Sequence, residues 1–177
     1  MRLFVTGPTS CGKSTLASEL AHKASLPVFP LDEMHWVRQP EGDVRRDPAA
    51  RLAMLDSVVQ RDAWIVEGVQ FKWADKAMEH ATHIVILDIP RWKNNVQIFR
   101  RFLSRQCFPR NNSRGTLQAL REEFCWSADY YGHERPMLFE KVSGWPDKLT
   151  IIRTHKDAIT FILALQHDTD SLLSEKL

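Results

Sequence analysis

The chain has 177 residues, of which 44% are apolar and 26% charged, and this length suits one domain with a buried core. A formal net charge of +2 does not call for nucleic acid or an anionic membrane as partner, and three cysteines without metal-like spacing argue against a disulfide framework or a zinc site. We expect a cytoplasmic protein with no signal peptide. We also expect no membrane segment, because no apolar run approaches the roughly 20 residues that a span requires.

A phosphate-binding motif follows the first apolar run. Residues 3–6 are typical of a strand, residues 7–14 read G-x-x-x-x-G-K-S, and residues 14–24 are amphipathic, which is the strand–loop–helix setting that this P-loop motif requires. Gly7 and Gly12 let the backbone turn so that consecutive N–H groups point at a polyphosphate. The helix amino terminus adds its positive dipole end, so the motif predicts a nucleotide site.

Each residue of the motif has an expected part in that site. Lys13 is predicted to bridge the terminal phosphates and to act in catalysis, and the Ser14 hydroxyl is predicted to ligate Mg²⁺. The predicted nucleotide-binding residues are Gly7, Thr9, Ser10, Cys11, Gly12, Lys13, Ser14 and Thr15. Two readings of Cys11 stay open: a thiol made reactive by the N–H dipoles of the loop, or a small residue that fits there.

Strand and helix patterns alternate along the rest of the chain. Further strand-like runs lie at residues 28–31, 64–67, 83–88 and 149–153. Asp47-Pro48 is a typical helix start, and a later helix carries an apolar stripe at Val96, Phe99 and Phe102-Leu103. Such alternation predicts an α/β fold, with a parallel sheet covered by helices on both faces and ligands bound at the carboxyl ends of its strands.

Acids and an aromatic residue stand after these strands. Asp32 could orient an acceptor hydroxyl, take its proton or hold a Mg²⁺-bound water, and the alternative is a helix cap or a surface acid. Glu67 matches the carboxylate that holds Mg²⁺ through water, and Gly68 would let a ligand approach the backbone closely. Trp36 either stacks on an acceptor ring or is half-buried. Asp88 is expected to cap the next helix.

The densest basic patch lies within residues 100–116. Arg101 and Arg105 are four residues apart on one helix face, and Arg110 and Arg114 follow in a loop-like stretch. Arginines on a closing lid neutralise the charge of a transferred phosphoryl group and exclude water. We therefore predict a lid over residues 100–116 with Arg101 and Arg105 as catalytic residues. The alternative is a solvated basic helix face that touches nucleic acid.

Together these motifs resemble the adenylate-kinase-like small P-loop kinases, and within them the group labelled DNA topology modulation proteins (FlaR-like). The resemblance rests on residues 7–14, Leu31-Asp32 with Trp36, residues 64–68, residues 86–90 and Arg100-Arg101. It implies a P-loop NTPase fold of three α/β/α layers, a five-stranded parallel sheet of order 2-3-1-4-5, and binding of ATP and Mg²⁺. The group usually has Asp-Gly-Asn where this chain has Glu67, Gly68 and Val69.

The leading hypothesis is a single kinase domain over residues 1–177 that transfers the γ-phosphoryl group of ATP to a small acceptor, with an acceptor segment at residues 32–62. Arg38, Arg45 and Arg46 of that segment could grip an anionic acceptor such as a nucleoside monophosphate. The alternative is an ATP-binding regulator that acts on DNA or a protein partner with little turnover. The near-neutral charge and the lack of a DNA-reading motif weigh against it. A GTPase is a weaker alternative.

Overall fold

The computed structural model describes residues 1–107 and 116–174, with side chains described as far as residue 166. The amino-terminal half contains β1 (Arg2–Thr6), α1 (Lys13–Ala24), β2 (Val28–Pro30), α2 (Leu31–His35), β3 (Trp36–Val37), β4 (Val44–Arg45), α3 (Pro48–Val59), β5 (Trp64–Glu67), α4 (Asp75–His80) and β6 (His83–Leu87). The other half contains α5 (Arg91–Cys107), α6 (Leu117–Asp129), a π turn (Tyr130–Glu134), α7 (Arg135–Val142), β7 (Leu149–Ile152) and α8 (His155–Ser174). Within the described part of the chain, no helix has the length and apolarity needed to cross a membrane.

Five parallel strands form the central sheet, in the order β2-β5-β1-β6-β7. Counted without the hairpin of β3 and β4, this is the expected order 2-3-1-4-5, and all five predicted strands are confirmed. Strand β2 ends at Pro30, one residue earlier than predicted, because Leu31 already begins α2. The antiparallel hairpin escaped prediction because each of its strands has only two residues.

The two faces of the sheet pack against different helices. Side chains alternate across a strand, so Phe4 and Val66 lie in one buried cluster while Leu3, Ile65 and Val85 lie in another. Helices α3, α4 and α7 contribute to the first cluster, and α1 and α8 to the second. The prediction of a sheet covered on both faces is confirmed. Helix α3 also begins as predicted, with the Asp47 carboxylate accepting from two backbone N–H groups.

Most of the apolar stripe of α5 faces outward, and only Phe102 of the predicted stripe is half-buried. The exposed apolar side chains of α5, at 45% to 65% of their full accessibility, are Trp92, Val96, Phe99 and Leu103. The buried face carries Asn94 and Ile98 instead. The Asn94 amide donates to the Thr9 carbonyl (2.6 Å) and accepts from the Ser127 hydroxyl (2.8 Å), so it joins α5 to the P-loop and to α6. These polar contacts select the buried face of α5, and helical periodicity alone does not register them.

Asp88 does not serve the next helix as a cap; it is the centre of an ion-pair cluster. Its buried carboxylate accepts two hydrogen bonds from the Arg135 guanidinium, at 2.7 and 2.9 Å, and one from Arg153 at 3.3 Å. Hydrogen bonding from Arg135, together with its charge and that of Arg153, holds the pKa of Asp88 below its ordinary value. The cluster ties the end of β6 to α7 and to the end of β7.

We expect Asp88→Asn to lower the free energy of unfolding at neutral pH by about 2 kcal/mol, the scale of hydrogen bonds to a charged group. Because the pKa of Asp88 is lower in the folded state, its stabilisation is complete above the unfolded value of about 3.9 and is lost as the pH falls through the folded value. Urea unfolding at neutral pH and at about pH 3 should therefore show that the difference in free energy of unfolding between variant and wild type is smaller in acid. Asp147→Asn, at an exposed carboxylate, is the matched control. A difference in free energy of unfolding that is the same at both pH values would contradict the stabilising role assigned to the ionised Asp88.

Candidate functional site

The P-loop between β1 and α1 adopts a conformation that its glycines permit. Gly7 has φ +147°, and a Cβ there would lie 2.7 Å from the Leu87 carbonyl oxygen, so the position admits no side chain. Gly12, with φ +99°, stands immediately before α1 in the left-handed region. The loop thus packs against the end of β6. It also places the amino terminus of α1 at the carboxyl edge of the sheet.

A cavity of about 590 Å³ opens at this edge, a volume within the usual range for a small-molecule site. Of the predicted nucleotide-binding residues, those that line it are Thr9, Ser10, Gly12, Lys13, Ser14 and Thr15. Gly7 and Cys11 do not line it, because Gly7 packs against Leu87 and the Cys11 side chain belongs to a buried apolar cluster. Burial raises the pKa of the Cys11 thiol, which favours the packing interpretation over the reactive one.

Lys13 is buried, and its ammonium group donates to the Pro8 carbonyl of the same loop at 2.6 Å. The contact folds the lysine back over the loop, with its charge satisfied by a backbone dipole. A phosphate oxygen in the cavity would be a stronger partner than this carbonyl, because it carries a full negative charge.

The two predicted metal ligands are in contact. The Ser14 hydroxyl donates to a Glu67 carboxylate oxygen at 3.0 Å, and both residues line the cavity. Burial raises the pKa of Glu67 above its ordinary value, against the opposing effects of Ser14 and Lys13. A hydroxyl and a carboxylate this close form a hard oxygen pair of the kind that Mg²⁺ accepts alongside water and phosphate oxygens. Nowhere in the described ranges do three or more His, Cys, Asp or Glu side chains group to hold a metal.

Gly68 is required by packing. A Cβ at this position would lie 2.7 Å from the Leu31 Cβ and 2.8 Å from the Gln70 side chain. The sequence predicted that a ligand would approach the Gly68 backbone closely. In the structure, Leu31 at the start of α2 makes a close approach to this position.

Asp32 lines the cavity from the first turn of α2. Pro30 occupies the N-cap position of that helix, so the reading of Asp32 as a cap is wrong, whereas its exposed side chain agrees with the surface-acid alternative. The Gln70 side-chain amide donates to the Asp32 carboxylate and orients it. Trp36 also lines the cavity, at the base of the hairpin, and is half-exposed there.

The structure separates the two predicted catalytic arginines. Arg101 lines the cavity and donates to the Ser10 hydroxyl at 3.1 Å. Arg105 does not line it: its guanidinium pairs with Glu123 of α6 at 2.8 Å, and Glu123 also accepts from Ser10 at 3.0 Å. The prediction that Arg105 faces the reacting groups is therefore corrected, because a buried carboxylate on α6 holds it. Arg110 and Arg114, and most of the predicted lid, lie outside the described residues.

Arg101 has no ion-pair partner among the residues that the structure describes. Desolvation lowers its pKa, and the nearby charge of Arg105 lowers it further, although an arginine with such a shift remains charged. An anion beside Arg101 would offset both penalties. This places an arginine of α5 that lacks an ion-pair partner on the cavity wall, in contact with Ser10 of the P-loop.

Only one of the three arginines expected to grip an acceptor lines the cavity. Arg45 does so, with its guanidinium 5.7 Å from the Trp36 ring centroid. Arg38 pairs with Asp43 across the hairpin, and Arg46 donates to the Met34 carbonyl at 3.0 Å. Those two arginines stabilise the hairpin, so the expected anion-gripping cluster is not assembled.

Sequence reasoning missed one wall of the cavity. It is formed by α6 and the π turn, through Trp126, Asp129, Tyr130 and Glu134. Trp126 and Asp129 are three residues apart and Tyr130 and Glu134 four apart, which is the spacing of one helical face and a signal that could have been found. The Tyr130 hydroxyl is buried without a hydrogen-bond partner in the described structure, and burial raises its pKa, so the phenol is neutral.

Comparison with solved structures finds a similar fold in two kinases. A gluconokinase from Sinorhizobium meliloti 1021 is 14% identical, with a TM-score of 0.52 over 97% of this chain and 96% of that one. A shikimate kinase from Bacteroides thetaiotaomicron is 16% identical, with a TM-score of 0.53 over 96% of this chain and 98% of that one. No protein-family model matches the chain, and no curated protein sequence matches it either. The chain shares with these enzymes an α/β fold built on a five-stranded parallel sheet.

Proposed function

We propose that the protein transfers the γ-phosphoryl group of ATP to a hydroxyl group of a small acceptor. The observation that carries this proposal is one cavity whose wall includes Lys13 and Ser14 of the P-loop, Glu67, Asp32 and Arg101. These groups supply what phosphoryl transfer needs: phosphate binding, metal ligation, a place for the acceptor hydroxyl and a cation for the developing charge.

The phosphate side of the site combines loop N–H groups with two cations. The loop and the start of α1 point backbone donors and a helix dipole toward the cavity. Lys13 would exchange the Pro8 carbonyl for a phosphate oxygen, and Arg101 would gain the anionic partner that it lacks. Both changes favour the bound state electrostatically, because a neutral partner is replaced by a charged one.

Ser14 and Glu67 fit the requirements of a magnesium site. When bound with ATP, Mg²⁺ neutralises phosphate charge and helps to orient the transferred group. Ser14 would contribute its hydroxyl oxygen and Glu67 a carboxylate oxygen, directly or through water. The ionised form of Glu67, disfavoured by burial, would be stabilised by a nearby cation.

Asp32 is the group that we assign to the acceptor hydroxyl. In the transfer, the acceptor oxygen bonds to the γ-phosphorus, the bond from that phosphorus to the β–γ bridging oxygen breaks, and ADP leaves. The hydroxyl proton passes to the Asp32 carboxylate and then to water. Gln70 holds this carboxylate in one orientation before the acceptor arrives.

The test of the proposal is ADP production with Mg²⁺-ATP across nucleosides, nucleoside monophosphates and hydroxylated metabolites. Stimulation by one acceptor, with appearance of the phosphorylated product by ³¹P NMR, supports the kinase. ATP binding without transfer to any acceptor argues against it.

Asp32→Asn should lower kcat about 10²-fold, at the lower end of the range for loss of a general base. The amide keeps nearly the same size, so KM for ATP should change little. Stopped assays of product formation give both constants. Glu33→Gln, which neutralises the adjacent exposed acid of α2, is the control because Glu33 does not line the cavity. An Asp32→Asn enzyme with wild-type kcat would remove Asp32 from the mechanism.

We further propose, from the motifs alone, that the chain belongs to the topology-modulation group of these kinases and spans one domain over residues 1–177.

The competing function, an ATP-binding regulator that acts on DNA, draws support from α5, whose charged side chains are all basic. DNA affinity measured at graded salt tests it. A steep fall in affinity with salt, without acceptor phosphorylation, would favour the regulator.

A further inference from the structure

Once Lys13 and Arg101 are assigned to the phosphates of ATP and Glu67 to the metal, the charged side chains left on the cavity wall are mainly acids. They are Asp32, Asp129 and Glu134, and Arg45 is the one remaining cationic side chain on the wall among the described residues. The three acids come from α2, α6 and the π turn, respectively, and Arg45 comes from strand β4 of the hairpin. The tertiary fold thus gathers carboxylates around the place where an acceptor would lie.

Neighbouring groups compensate these acids only in part. Glu134 pairs with Lys72 at 2.8 Å, and the Asp129 carboxylate lies 2.9 Å from the His133 ring nitrogen. Lys72 and His133 stand outside the cavity wall. Even with Lys72 counted, three carboxylates face two permanently charged cations, Lys72 and Arg45. An anionic group beside these three carboxylates would meet an excess of negative charge.

Phosphate and carboxylate recognition usually relies on arginines that donate two parallel hydrogen bonds. Of the hairpin arginines, Arg38 and Arg46 are held by Asp43 and by backbone carbonyls, and Arg45 lies over the face of Trp36. Arg101, the other guanidinium on the described cavity wall, is bonded to Ser10 of the P-loop. With Arg101 assigned to the phosphates of ATP, no second guanidinium among the described lining residues is left to form a clamp with Arg45.

Two tryptophans add a different kind of surface. Trp36 and Trp126 both line the cavity, and the Trp126 side chain is 58% exposed. Flat aromatic faces stack on bases and on the apolar faces of sugar rings, and they attract cations. Indole rings and carboxylates together suit a ring-bearing molecule with hydroxyl or amino groups.

Resting on the kinase function proposed above, we infer that the acceptor is a neutral or cationic ring-bearing alcohol, of the class of sugars, amino sugars and nucleosides. Acceptors that carry a phosphate or carboxylate group, such as nucleoside monophosphates and sugar acids, are disfavoured by Asp129 and Glu134. The acceptor class therefore differs from the anionic acceptor that the three arginines of the hairpin region suggested from sequence.

The test compares molecules that share a scaffold and differ in charge: glucosamine, glucose and gluconate in one series, and adenosine and its monophosphate in another. Phosphorylation is followed by ³¹P NMR, and binding by ligand-observed NMR with a non-hydrolysable ATP analogue and Mg²⁺. We expect the neutral and cationic members to bind and react, with kcat/KM for the anionic members at least about tenfold lower. Preferential binding or phosphorylation of gluconate or adenosine monophosphate would overturn the inference.

The two assays keep this inference separate from the kinase proposal. Phosphoryl transfer to an anionic acceptor would support the kinase function and contradict the inferred acceptor class. Selective binding of neutral or cationic members without any transfer would support the acceptor class and contradict the kinase.

Charge removal tests the named side chains. In the double variant Asp129→Asn/Glu134→Gln, the preference for the neutral over the anionic member of a series should fall about fivefold, a modest change because Asp129 is largely exposed to solvent. Glu140→Gln, which removes the same charge from α7 outside the cavity, is the matched control and should keep the wild-type preference. An unchanged preference in a folded double variant would contradict the part assigned to these carboxylates.

Discussion

Lys13→Ala should reduce phosphoryl transfer about 10³-fold, the upper range for loss of one preorganised donor at a site of developing charge. The ammonium group lies in the P-loop and is held by the Pro8 carbonyl until a phosphate competes for it. Truncation removes both the charge that binds the phosphates and the charge that stabilises the transition state. ATP affinity and kcat should therefore fall together, as measured by calorimetric titration and by ADP release.

The control for this experiment is Lys23→Ala, on the exposed last turn of the same helix, where the lysine lies 3.7 Å from Glu19. Its turnover should stay close to wild type, because a surface pair of this kind contributes little. Circular dichroism and thermal unfolding establish that the Lys13 variant is folded. A folded Lys13→Ala protein with wild-type turnover would show that the P-loop does not serve catalysis here.

Arg101→Ala should lower kcat by about 10³-fold, the lower end of the range for an arginine that stabilises the phosphoryl transition state. Its effect on ATP affinity should be far smaller, because the negative charge that it balances is greatest at the transition state. In the free protein its guanidinium has only the Ser10 hydroxyl as a hydrogen-bond partner among the described residues. Loss of the side chain therefore breaks no ion pair, and the fold should survive.

Two further arginine variants make the Arg101 result specific. Arg105→Ala should cause a much smaller loss of kcat and should instead lower thermal stability, because Arg105 pairs with the buried Glu123. Arg91→Ala removes a guanidinium from the exposed start of the same helix and should leave turnover near wild type. Equal kcat values for wild type and Arg101→Ala, or a larger loss in Arg105→Ala, would contradict the assignment made from the geometry.

The parts of the site that lie within one continuous motif were predictable. The glycines, lysine and serine of the P-loop act through backbone geometry that a run of eight residues already specifies. Asp32 and Glu67 were also predictable, because Glu67 ends one strand of a parallel sheet, Asp32 closely follows another, and such strand ends converge at one edge. The structure places both acids on the cavity wall with the P-loop.

The parts of the site that depend on contacts between side chains of different helices and strands were not predictable from the sequence. Arg101 and Arg105 are equivalent by helical spacing, and only the position of Glu123 on α6 directs one to the cavity and the other away from it. Arg38, Arg45 and Arg46 are equally basic in sequence, and the hairpin contacts decide that Arg45 alone lines the cavity.

Local pattern was therefore sufficient for the strands and the phosphate-binding loop, since alternation and motif spacing act over a few residues. The order of the strands in the sheet was expected only from the family resemblance. Tertiary packing decided the rest: the outward face of α5, the ion-pair cluster at Asp88 and the wall formed by α6 and the π turn. The physical reason is that hydrogen bonds and ion pairs between distant elements can outweigh the apolar periodicity of a single helix. The packing of α6 and the π turn also brings Asp129 and Glu134 to the cavity wall.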